Sequence, residues 1–290
     1  MARVLHLPDH GRLLVCTDLQ GNLGDFRRME AVFRAAHRET RAAHLLFTGD
    51  LIHGPHIAKK DWPAYLGSFY RDESGALVDA LVTLTSEIPD RVHCILGNHE
   101  HAHIGGPHTA KFAIDEVILL ESIVGPRGAK KLQTVFRDFP LVAVTPCGIV
   151  FTHGAPAADI RSANEVIEAR LDGADWESPL DIFDTPVVGP ILWARSATAE
   201  VARRFLAAMG GRLSVFGHDV IPEGYECIGD EQMIVSTSFG VDDANKVYLQ
   251  LDLAGHYETV RDLREGSEIL PLYPSKAAAA LPRRATTAAT

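Results

Sequence analysis

The sequence predicts an α/β fold with two mixed β-sheets. Three observations carry this. The first hundred residues alternate between short apolar runs and amphipathic helical stretches. The second half returns to short apolar runs broken by turn residues. Polar residues collect just past the ends of those runs, at the rim where α/β sheets bind ligands.

The elements follow in order. Residues 12–17, RLLVCT, read as the first strand. A helix is expected over 25–38, with Phe26, Met29, Val32, Phe33 and Ala36 on one face. Residues 43–48 form a second strand, short and apolar but for His44 and its last residue, as suits a strand buried on both faces. A helix over 73–87 and a third strand over 91–96 complete a strand–helix–strand–helix–strand series. Residues 141–145 and 149–152 form a hairpin around Pro146, Cys147 and Gly148. Residues 198–209 read as a helix capped by Thr198. Strands return at 213–216, 232–236, 246–253 and 255–261. One domain over residues 1–274 is expected. Within it, the polar stretch 155–190 forms an insert over the rim, and the low-complexity tail 275–290 is expected to be disordered.

Composition narrows the function. The chain has 290 residues, with 28 basic and 38 acidic side chains, so its net charge is −10. Gripping a nucleic acid duplex needs a basic surface, so that class is excluded. No run approaches the roughly 18 apolar residues of a membrane span, and the N-terminus lacks the pattern of a secretory signal. The four cysteines form no C-x-x-C pair. They read as reduced, mostly buried thiols of a cytoplasmic protein.

The strand ends carry the chemistry. Asp18 and Gln20 follow the first strand, and Asp50, His53 and His56 the second. Asn98 and His99 follow the third; His153 and His218 follow later ones. Carboxylate, amide oxygen and imidazole together suit manganese, iron or zinc. Taken singly each residue has a plainer role: Asp18 could cap the next helix, and HEHAHIGGPH (99–108) could be a solvated loop. Five strand ends of one kind outweigh those readings. His6, His10, His37, His44, His93 and His256 lack this context and read as structural or surface residues.

With these motifs in order, TDLQGN, TGDLIHGP, LGNHE, FTHG and FGHD, the sequence resembles the calcineurin-like metallophosphoesterases. It is most similar to their phosphoprotein phosphatase branch, including bacterial and bacteriophage-type enzymes. VFRDFPLVAV, ILWAR and the stretch 216–240 extend the likeness. The resemblance implies a four-layer sandwich, two mixed sheets flanked by helices. It places one metal on Asp18, Gln20 and Asp50, and a second on Asp50, Asn98, His153 and His218. Two divalent ions are implied, with manganese first and iron or zinc as alternatives. Asp50 and His99 become the catalytic pair, with His99 as general acid. Arg195, Asn98 and His53 become substrate contacts.

The implied activity is hydrolysis of a phosphomonoester, on a phosphoprotein or a small molecule, by a metal-activated hydroxide. Four positions depart from the branch. Gln20 replaces an imidazole, which weakens the first metal site. His53 stands where the branch has an aspartate that orients the catalytic histidine. Gly54 and Leu96 stand where it has arginines. His53 is therefore expected to lie closest to the metals. Two alternatives remain open: hydrolysis of a dinucleoside polyphosphate or another anhydride or diester, and a non-catalytic regulatory protein that binds metal or phosphate.

Overall fold

The computed structural model describes residues 2–110, 114–171 and 178–277. The expected tail beyond residue 277 lies outside the described residues. In chain order the first half holds β1 (Val4–His6), β2 (Arg12–Cys16), α1 (Leu23–Glu39), β3 (Ala43–Phe47), α2 (Ser74–Glu87), β4 (Val92–Cys94), α3 (Asn98–Ala102) and α4 (Glu116–Arg137). The second half holds β5 (Val142–Val144), β6 (Ile149–Phe151), α5 (Ala163–Ile167), α6 (Val188–Trp193), α7 (Ala199–Met209), β7 (Leu213–Phe216), β8 (Tyr225–Ile228), β9 (Gln232–Val235), β10 (Val247–Asp252), β11 (Ile269–Pro271) and α8 (Pro274–Ala277).

Two mixed sheets form, as expected. One has the order β11-β10-β2-β3-β4, the other β1-β5-β6-β7-β9-β8. In the first, β2, β3 and β4 run parallel and β10 lies antiparallel to β2. In the second, β6, β7 and β9 run parallel, while β5 pairs antiparallel with β6.

Side-chain alternation explains the layers. On β2, Leu13 and Val15 point into a core shared with Phe151, Leu213, Val215 and Met233 of the other sheet. Leu14 and Cys16 point the opposite way, into a core with Phe26, Met29 and Phe33 of α1 and Leu77 and Leu81 of α2. Both faces are buried, so the run is apolar throughout. The outer core also takes in Phe205, Leu206 and Met209 of α7, which covers the second sheet. Helix, sheet, sheet and helix make four layers.

Several expectations need correction. Residues 255–261 do not form a strand. Tyr257 donates to Cys147 O, and Thr259 caps a 3-10 turn over Val260–Asp262, so this backbone is satisfied locally. Strand β4 is shorter than 91–96 because the Leu96 N–H leaves the ladder for Pro140 O. Asp18 does not cap α1; Asn22 does, accepting from the Asp25 N–H at 3.1 Å. Thr198 does cap α7. The sequence reading left α4 unassigned. Its pattern is interrupted at Gly125-Pro126, where Gly125 has φ 72° and bends the helix. It also left out β1 and β11, three-residue strands at the two sheet edges.

Candidate active site

The C-terminal ends of β2, β3, β4, β6 and β7 meet at one rim. Their loops deliver Asp18, Asp50, Asn98, His153 and His218. Three of these, with Gln20 and His53, hold left-handed backbone: Asp18 (φ 46°), Gln20 (39°), Asp50 (51°), His53 (69°) and His218 (66°). Residues with a Cβ resist this region, so the surroundings must impose it. Glycines allow the close packing that does so. A Cβ on Gly97 would lie 2.3 Å from the Asp50 N, and one on Gly217 would lie 2.0 Å from Asp18 Oδ2.

Glu100 ties the second and third loops together. It is fully buried, and its carboxylate accepts from the N–H groups of Asp50 (2.8 Å), Leu51 (2.7 Å) and Gly97 (3.1 Å). Burial, then the nearby Asp50 charge, pushes its pKa up. The sequence reading gave Glu100 no role. Its position three residues past Gly97, at the start of a short helix, was the available signal.

Four ligand-capable atoms converge in front of these loops. His153 Nε2 lies 2.8 Å from Asn98 Oδ1, 3.1 Å from His218 Nδ1 and 3.3 Å from Asp50 Oδ1. His218 Nδ1 lies 3.0 Å from Asn98 Oδ1. The other His153 nitrogen, Nδ1, is 2.9 Å from Thr48 O. A carbonyl only accepts, so Nδ1 carries the ring proton and Nε2 presents a bare lone pair. That lone pair faces two oxygen acceptors with no proton between them. Burial, and next the neighbouring His153, pushes the His218 pKa down to about 3, so this ring too is neutral. Two imidazole nitrogens, an amide oxygen and a carboxylate oxygen brought together in this way are a donor set that suits a divalent cation. The donor chemistry therefore fits a metal.

The remaining expected metal residues sit less tightly. Asp50, His153 and His218 form one compact ligand group, which does not include Asp18. The Asp18 carboxylate accepts from the His218 N–H at 3.0 and 3.2 Å. Gln20 Nε2 donates to Asp50 Oδ2 at 3.4 Å. Arg195 is exposed and donates to Asp219 Oδ1 at 2.5 Å, beside His218. Trp193 approaches His218 edge-on, with ring centroids 6.1 Å apart. It packs in turn on Phe183 from the 155–190 segment, of which residues 172–177 lie outside the described residues.

Behind this group lies a second one. His53, His99 and Glu116 bring ligand-capable atoms together, all three buried. His53 was expected nearest the metals; it instead stands between two other histidines. Its Nδ1 is 2.8 Å from His99 Nδ1, and its Nε2 is 2.9 Å from His103 Nε2. His103 Nδ1 is 3.1 Å from Glu121 Oε1. His99 Nε2 faces Asp50 Oδ2 at 3.7 Å, and its backbone N–H donates to Asp50 Oδ1. His101 and His103 are buried, so the stretch after GNHE is not a solvated loop. His108 is partly exposed and pairs with Asp115. His56 pairs with Asp72.

The family model of the calcineurin-like phosphoesterases matches residues 11–222. The chain belongs to this family. It is a metallophosphoesterase, a hydrolase of phosphate esters, and the family is one of dinuclear metal enzymes. No curated protein matches the chain in a sequence search. Among solved structures it is similar to a protein serine/threonine phosphatase from Saccharomyces cerevisiae. The identity is 16% and the TM-score 0.58, over 82% of this chain and 71% of that one. It is also similar to a cold-active protein-tyrosine phosphatase from a psychrophilic Shewanella species. There the identity is 13% and the TM-score 0.54, over 89% of this chain and 81% of that one. At such identities the likeness is one of fold. Among the described residues, no helix is long and apolar enough to cross a membrane.

Proposed function

We propose that this phosphoesterase hydrolyses a phosphomonoester, carried by a phosphoprotein or a small molecule. The observation that carries the reading is the convergence of ligand-capable atoms of Asp50, Asn98, His153 and His218. Those four residues would hold one divalent ion; Asp18, Gln20 and Asp50 would hold a second, weaker one. Manganese is the first choice, with iron or zinc as alternatives. Bound there, the ions would make water a nucleophile at neutral pH and offset charge on the phosphoryl oxygens.

The chain's own residues do the rest. Arg195 swings from Asp219 to bind the phosphoryl oxygens, with Asn98 beside it. Water oxygen adds to phosphorus, and the bond from phosphorus to the leaving oxygen breaks. His99 gives its Nε2 proton to that oxygen, a step worth roughly 10²–10⁴ in rate. Phe183 of the 155–190 segment packs on Trp193, which meets His218, and through this contact the segment bears on substrate choice. Residues 1–274 form one domain in this reading. Four free thiols fit a reducing, cytoplasmic setting.

The test is phosphate release from 4-nitrophenyl phosphate by metal-stripped protein titrated with manganese. Turnover that rises with manganese supports the reading. Manganese binding without phosphate release sinks it, and cleavage of bis-4-nitrophenyl phosphate or a dinucleoside polyphosphate instead would put the diester or anhydride activity in its place.

A further inference from the structure

The hydrogen-bond chain behind the metal ligands can be resolved atom by atom. It starts at Glu121, whose carboxylate accepts, so His103 Nδ1 carries a proton. The neutral His103 ring then accepts at Nε2, and His53 Nε2 must donate to it. His53 accepts in turn at Nδ1, so His99 Nδ1 donates. The other His99 nitrogen, Nε2, faces Asp50 Oδ2 and carries a proton to give only when the ring is the imidazolium, with both nitrogens protonated.

A second carboxylate meets the same His99 atom. Glu116 Oε2 lies 3.3 Å from His99 Nδ1 and 3.7 Å from His53 Nδ1. Glu116 is buried in the first turn of α4, where the helix dipole favours a negative charge. The Thr109 hydroxyl donates to the same oxygen, Oε2, and fixes its position. The His99 ring is thus held at its back edge by one imidazole and one carboxylate. Both carboxylates of the array, Glu116 and Glu121, come from α4, which contributes nothing to the metal ligands.

We propose that Glu116 is a positioning residue for the hydrolysis: with His53 it fixes the His99 ring so that Nε2 faces the phosphoryl site. This rests on the reading of His99 as proton donor to the leaving group. Glu116 belongs to a different group from Asp50, His153 and His218. Its removal leaves His99 present but free to turn. The loss then falls on the step that needs the proton.

The experiment compares two substrates on the manganese-loaded protein: 4-nitrophenyl phosphate, whose leaving group departs without a proton, and phenethyl phosphate, whose alkoxide needs one. Glu116→Gln is expected to lower kcat on phenethyl phosphate by about 10–100-fold. On 4-nitrophenyl phosphate the loss stays within about threefold, with KM and bound manganese unchanged. Glu116→Asp recovers part of the loss. Thr109→Val, which keeps the carboxylate, gives a smaller change in the same direction and stands in if Glu116→Gln fails to fold. Equal losses on both substrates would mean a purely structural role and overturn the proposal. Loss of a bound ion from Glu116→Gln would make Glu116 a metal ligand and overturn it as well. His99→Ala is the control. If it shows no selective loss on phenethyl phosphate, the proton-donor reading has failed and the proposal goes with it. If it does and Glu116→Gln does not, the proposal alone has failed.

Discussion

Two histidine clusters lie on either side of the GNHE helix, and they are built from the same side chains to opposite ends. In front, His153 presents its unprotonated nitrogen toward Asn98 and Asp50, and His218 Nδ1 lies beside it. Behind, His99, His53 and His103 pair donor with acceptor along the whole row, ending on Glu121. The first arrangement suits a cation. The second is complete with protons alone. The difference comes from what holds the far nitrogen: the Thr48 carbonyl fixes the His153 proton away from its neighbours, whereas the Glu121 carboxylate starts a row in which every later proton is assigned. Proximity of imidazoles and carboxylates is therefore a poor guide to metal binding, and the tautomer imposed from outside is a better one.

The comparison can be broken at its front first. Asp50→Asn removes the one carboxylate of the front group and is expected to lower turnover by about 10²–10³-fold or more, with loss of bound metal. Metal analysis together with kcat checks this. Retention of full metal content would mean that the front cluster is not the ion's main holder.

Glu100 joins front and back, because it clamps the Asp50 loop onto the GNHE helix. Glu100→Ala leaves three buried N–H groups without their acceptor, at a cost on the order of 3 kcal/mol or more. Urea unfolding measures it. An unchanged midpoint would show that the loops hold their shape without the clamp.

His101 sharpens the contrast, since it lies on the same short helix but outside both clusters. It is buried and donates from Nε2 to Leu171 O. Burial, partly opposed by that hydrogen bond, pushes its pKa down to about 4, against 6.5 for a free imidazole. The unfolded chain thus binds a proton there before the folded one does. Stability from this residue is complete above about pH 6.5 and falls as pH drops toward 4, by an amount on the order of 3 kcal/mol. His101→Gln should flatten that part of the stability–pH curve. An equally steep curve in the variant would assign the acid sensitivity elsewhere.

Most of the fold was legible because β2 and β3 are buried on both faces and leave runs that are apolar apart from Arg12 and His44. The Phe26–Ala36 face of α1 gave an equally plain helical period. The front residues were legible as a group because each follows a strand end within a few residues. The back array was not. Glu116 and Glu121 lie on α4, whose pattern is broken by Gly125-Pro126, and nothing local marks a carboxylate that meets a histidine seventeen residues earlier in the chain. His53 was misplaced for the same reason. A loop histidine three residues from Asp50 could turn either way, and only the packing of α4 decides which.

The left-handed residues at the rim have a consequence for how such a protein can change. Asp18, Gln20, Asp50, His53 and His218 each hold a conformation that costs a side-chain-bearing residue on the order of 1 kcal/mol, and glycine would adopt it freely. A population selected only for heat resistance would drift toward glycine at these five positions. It would then gain robustness at the very places where it gave up its chemistry. Side chains that stay in such backbone are kept there at a cost in stability.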